Sequence, residues 1–106
     1  MRKDTMPQDI RIRLNQTNDV LLHYFPVHSA LADWGKDLES HLSEWIVTHP
    51  DKYQDALTQS FAAGCDFAST STQAASPWRA NVFGFRHKVH EHNLKSAQLA
   101  RQVTPE

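Results

Sequence analysis

The chain has 106 residues, of which 40% are hydrophobic and 22% charged, with a formal net charge of -1. That length supports one hydrophobic core and a single globular domain over 1–106, and the composition excludes disordered and fibrous classes. No apolar run approaches the roughly 18 residues that span a bilayer, and no apolar segment follows the basic N-terminus as it would in a secretory leader.

A single cysteine, Cys65, rules out an internal disulfide and suits a reducing compartment, so the expected location is cytoplasmic. Charge is spread unevenly. Residues 33–66 hold seven acids against Lys36 and Lys52, whereas residues 67–106 hold five basic residues against Glu91 and Glu106. A dedicated nucleic-acid binder usually carries a larger basic excess, so nucleic acid is the lesser candidate partner.

In chain order, "IRIRL" (10–14) alternates apolar and basic residues, the period of a half-buried strand. "NQTND" reads as a turn, and "VLLHYF" (20–25) as a second strand, giving a short N-terminal β-hairpin or strand over about 10–25. A helix over 18–25 is its rival, and Pro26 ends either one. From Ser29 the period lengthens: Leu31, Trp34, Leu38, Leu42, Trp45 and Ile46 recur every three or four residues and predict an amphipathic helix over about 30–48. Thr48 or His49 as N-cap and Pro50 at the first helical position start a second helix, about 50–68. "STSTQAAS" (69–76) is a loop or a weak extension of it.

Ser76 and Pro77 then open a third helix, about 77–103, in which Trp78, Val82, Phe85, Val89, His92, Ser96, Leu99 and Val103 keep a heptad spacing. The fold class is therefore mainly α, with three amphipathic helices and an N-terminal hairpin or strand. Gly35, Gly64 and Gly84 all fall inside these helices. Close helix approach accounts for the first two, and Gly84 either does the same or breaks the last helix.

Three histidines crowd "HKVHEHN" (87–93). At about 100° per residue His87 and His90 lie about 60° apart, but His90 and His92 lie about 160° apart, so the three rings cannot converge on one ion while the segment is helical. The HExxH pattern fails because Leu94 stands where its second histidine belongs, and HxxEH fails because Lys88 stands where its first belongs. Pairs such as Asp37 with His41 lack a third ligand. No metal and no cofactor are expected, and Cys65 reads as a packed thiol. No phosphate-cradling glycine loop or nucleophile motif occurs, so the chain reads as a non-enzyme.

What remains is apolar surface on the last helix. On a continuous helix Phe83, His90 and Leu94 lie opposite the core stripe, rimmed by Arg79, Arg86 and His87, which has the composition of a binding surface. The function expected is thus a small non-enzymatic protein-binding module, an inhibitor, accessory factor or regulator of phage or plasmid origin, docking on a protein partner or on a second copy as a homodimer, with no membrane involved. The alternative is a small dimeric DNA-binding regulator. "IRIRLN" resembles, over about six residues, the strand of ribbon-helix-helix proteins, and the resemblance implies that Arg11 and Arg13 enter the major groove. Pro26 interrupts the place where that family's first helix runs.

Overall fold

The computed structural model describes residues 20–105 together with Ile12 and Asn15. Its elements run β1 (His23–Tyr24), a 3-10 turn (Ala32–Trp34), α1 (Leu42–Thr48), α2 (Pro50–Ala62), β2 (Phe67–Ala68), α3 (Pro77–Val82), a second 3-10 turn (Arg86–Lys88) and α4 (Val89–Val103). The fold is mainly α with a short two-stranded sheet, as the periodicity predicts. Among the described residues no helix is long and apolar enough to cross a membrane.

The sheet departs from the expected hairpin. Among the described residues His23 and Tyr24 pair in parallel with Phe67 and Ala68, a partner far along the chain. The first expected strand, 10–14, lies outside the described residues apart from Ile12, whose backbone is helical. Parallel strands cannot be joined by a tight turn and need a crossover, which here is the whole stretch from Phe25 to Asp66 carrying α1 and α2. Asp66 also accepts the Leu22 amide on its carboxylate at 2.9 Å, while its own amide donates to the Leu22 carbonyl at 2.8 Å, locking the register just ahead of the pair.

The expected helix over 30–48 is cut in two. Gly35 closes the first 3-10 turn at φ 95°. Asp37 then draws the chain into a turn by accepting the amides of Glu39 at 3.1 Å and Ser40 at 2.7 Å, together with the Ser40 hydroxyl. Such side-chain bonds offer backbone amides an alternative to the helix ladder. Hydrogen bonds from the Ser40 side chain first, then its amide, hold the Asp37 carboxyl down to about 2. Lys36 is buried beneath this turn and donates to the carbonyls of Asp37 and Ser40. Leu38, placed on the apolar stripe by its spacing, is consequently exposed.

Likewise α2 stops at Ala62 instead of 68, and Phe67 and Ala68 leave the helical stripe to become β2. At Gly64 the backbone turns left-handed (φ 113°) and a Cβ would meet nothing within 4 Å, so the glycine serves the turn and not helix packing. Residues 69–76 form a loop, held where Tyr53 donates its hydroxyl to the Thr70 carbonyl at 2.9 Å. The N-cap signal of Ser76 holds: its hydroxyl accepts the Arg79 amide at 3.3 Å.

The core gathers Leu31, Leu42, Trp45, Ile46, Tyr53, Ala56, Leu57 and Ala74 with Leu99 and Ala100 of α4. It joins α1 and α2 to α4. Trp78 (84% exposed) and Val82 (77% exposed), which open the heptad pattern in sequence, take no part in it. The reason is Gly84. Its left-handed backbone (φ 81°) separates α3 from α4, so one heptad phase does not run through both.

That break makes a signed prediction. A Cβ at Gly84 would touch nothing within 4 Å, so alanine there costs only the left-handed backbone. Gly84→Ala is expected to destabilise the protein by about 1 kcal/mol in urea unfolding followed by circular dichroism. A helix running through residue 84 would instead gain about 1 kcal/mol from the same change. In the core, Leu57→Ala should cost about 2–5 kcal/mol, the usual range for emptying a fully buried leucine site.

Candidate functional site

The densest polar cluster among the described residues lies where α1, the 69–76 loop, the second 3-10 turn and α4 meet. His41 begins it. As N-cap of α1 it accepts the Glu44 amide on Nδ1 at 3.3 Å, which leaves Nε2 to carry the proton and donate to the Ala74 carbonyl at 3.0 Å. Both ring nitrogens are thus used in the neutral form. The ring is 2% exposed and lies 5.1 Å from Phe83, 5.4 Å from Phe85 and 5.4 Å from His92, centroid to centroid. Burial lowers its pKa below 6.5, and the nearby His92 and Arg79 charges add to that effect against the opposing pull of the Ala74 carbonyl and Glu44.

Glu44, three residues on, turns toward α4. Its Oε1 accepts His92 Nε2 at 2.8 Å, and Lys88 approaches both carboxylate oxygens at 3.4 Å. Burial pushes the carboxyl up, yet the hydrogen bonds from His92 and then Lys88 outweigh it and leave Glu44 below its ordinary value. Because the carboxylate engages Nε2, the His92 proton sits there and Nδ1 is a buried acceptor with no partner. Lys88 also lies over the Phe85 ring, 5.4 Å from its centroid. A fixed imidazole tautomer, a carboxylate and an ammonium beside the Phe85 ring can hold or pass a proton.

Spacing alone did not bring these residues together. Glu44 reads as solvated helix face, and His92 as a core-edge ring. No local signal marks the pair His41 and Glu44, because histidine is not among the usual N-cap residues and position 41 falls inside the expected helix over 30–48. Of the residues assigned to the binding surface, Phe83 touches the cluster through His41, and Arg79 lies near enough for its charge to act on the same ring. Arg79 and Phe83 sit on or just after α3, Arg86 and His87 in the exposed 3-10 turn, and His90 and Leu94 on the exposed side of α4. The reversal at Gly84 divides the six among three segments. Phe83 (46% exposed) and Leu94 (50% exposed) are nonetheless both at the surface. Among the described residues no three His, Cys, Asp or Glu side chains come together as a metal site, and Cys65 is a half-buried free thiol.

Removing the Glu44 carboxylate strands the buried His92 Nε2 and leaves the half-buried Lys88 without its ion pair. Glu44→Ala should cost about 1–3 kcal/mol, the usual penalty for a buried donor left unmet. The double variant Glu44→Leu/His92→Leu, which removes both polar partners, should recover part of that loss. Equal loss in both variants, measured by thermal unfolding, would remove the pair from the account of stability.

A family model described as Homocysteine S-methyltransferase matches residues 16–106. No curated protein and no solved structure matches the chain. The family match overturns the reading of the chain as a non-enzymatic protein-binding module, and with it the DNA-binding alternative, the assignment as a non-enzyme and the inhibitor, regulator and phage associations. Those expectations rested on the absence of short catalytic motifs, and a family can be encoded in residues far apart in sequence. With 91 of its 106 residues covered, the chain belongs to the homocysteine S-methyltransferase family.

Proposed function

We propose that this domain takes part in methyl transfer to the thiol of homocysteine. The single observation that carries this reading is the family match over residues 16–106. The chemistry sets what such a domain must supply. An alkyl thiol ionises near about 8.5 and reacts as the thiolate, so the site must take its proton or hold the anion. The methyl donor needs a good leaving group, which a methyl on a positively charged sulfur or nitrogen provides. A bond forms between the homocysteine sulfur and the methyl carbon, the carbon–heteroatom bond of the donor breaks, and its electron pair leaves with the neutralised donor. The thiol proton passes to a base.

His92 is the base this chain offers. Its Nε2 is held by Glu44 at 2.8 Å and its Nδ1 is unpartnered. The ring is buried behind Phe85, 5.8 Å away, so thiol access requires the Phe83–Phe85 segment to move. Both strands run toward the connections that build the cluster, the 25–41 stretch after β1 and the 69–76 loop after β2. In parallel α/β arrangements, ligands gather at that end of the strands. A reducing cytoplasmic setting suits a thiol substrate and the lone Cys65 alike.

The test is production of methionine from homocysteine with sulfonium and quaternary-ammonium methyl donors, followed by mass spectrometry. Wild-type protein should form methionine, and His92→Gln should lower the rate by about 10²–10⁴, the usual contribution of a general base. Absence of methionine with every donor would sink the reading. Full activity in folded His92→Gln would leave the family reaction standing and remove His92 from it.

A further inference from the structure

We propose that the segment from Ser76 to Lys88 is an acid-released latch, held on α1 and α4 while His41 is neutral and let go when His41 takes a proton. The hold on this segment is narrow. Of α3 only Ala80 is buried, while Trp78 and Val82 stand in solvent. Among the described residues, the ring contacts and ion pair that tie it to α1 and α4 are Phe83 and Phe85 against His41, Phe85 against His92, and Lys88 on Glu44. Three of these four converge on the two buried histidine rings.

Neutral His41 is fully used, accepting the Glu44 amide and donating to Ala74. A second ring proton would sit on Nδ1 and face the Glu44 N–H donor, so the N-cap of α1 is lost and a charge appears under two phenyl rings. The groups facing His41 are Glu44 from α1, Arg79 from α3 and His92 from α4, and from the 69–76 loop the Ala74 carbonyl. Lys88 from the 3-10 turn faces Glu44. Three positive side chains, Arg79, Arg86 and Lys88, therefore ride on the latch itself, and a charged His41 repels Arg79, which faces it. Gly84, left-handed and free of neighbours, is a hinge within the segment.

The sign follows from linkage. Burial holds the His41 pKa below 6.5, so its contribution is fully present above that value and is lost as pH falls through the window below it. His28, whose pKa is lowered by burial and then by Lys36, acts in the same direction on global stability. It too faces Arg79 of the latch, so the two are separated by a variant that removes the His41 ring and leaves His28 in place. For one proton, the opening constant of the latch rises by at most about tenfold per pH unit within the window.

Hydrogen exchange with mass-spectrometric readout at pH 7.5, 6.5 and 5.5, corrected for the intrinsic rate, tests this on the full chain. Peptides covering 77–88 should lose protection several-fold more than peptides of α2. In His41→Asn, which keeps a good N-cap without a titrating ring, that difference should vanish. Equal loss along the whole chain, or the same pH response in His41→Asn, would overturn the proposal. Should His41→Asn fail to fold, the histidine ring signals of the wild-type protein decide by NMR. Protonation of His41 must coincide in pH with exposure of Phe83 and Phe85, and a mismatch overturns the latch.

Discussion

His41 joins three separate stretches of chain through one neutral ring. Its Nδ1 takes the orphan amide that starts α1, its Nε2 fixes the 69–76 loop at Ala74, and its faces meet Phe83 and Phe85 beyond α3. A helix of seven residues has little intrinsic stability. α1 persists because its first turn is capped and its buried side, Leu42, Trp45 and Ile46, is pressed onto the core. The same cap sets where Glu44 points, and Glu44 in turn positions His92 and Lys88. The polar cluster is thus a consequence of how one short helix begins.

The parallel pair imposes the second constraint. Two residues per strand supply few hydrogen bonds, and so small a sheet depends on what packs against it. Asp66 and Leu22 exchange contacts ahead of the pair, Ser69 donates its amide to the Tyr24 carbonyl after it at 3.0 Å, and Tyr53 of α2 holds the following loop at Thr70. The crossover helices consequently do two jobs. They connect the strands and they anchor the loop that carries Ala74 to His41.

Much of the helical content was legible because amphipathic periodicity survives wherever a helix faces the core. Leu42, Trp45 and Ile46 of α1, Tyr53, Ala56 and Leu57 of α2, and His92, Ser96 and Leu99 of α4 are buried as their spacing predicts. The ends of the helices were less legible. Periodicity cannot detect a left-handed glycine, and the stripes through Gly35, Gly64 and Gly84 continue on paper where the backbone turns away. Asp37 is a second cause: its carboxylate competes for amides that a helix would have used. The strand partner was illegible for a different reason. Phe67 and Ala68 carry no strand signal within a helical run, so the partner of "VLLHYF" lay 44 residues away and was invisible to any local pattern.

The site was hidden for a related reason. Glu44 and His92 stand 48 residues apart, and each looks ordinary in its own helix, one as a surface acid and the other as a ring at the core edge. Of the crowded histidines of 87–93 only His92 is buried, and its ring is held by a carboxylate from another helix. Short motifs report chemistry only when the reacting groups share one segment. Here the polar groups are assembled by the packing of α1 on α4, so no local signature marks them, while the pattern spread over 16–106 is that of an enzyme family. The non-enzyme reading mistook an absence of local motifs for an absence of chemistry. The hydrogen-bonded pair of half-buried Glu44 and buried His92 needs α1, its His41 cap and the packing of α4 on α1 before it exists at all.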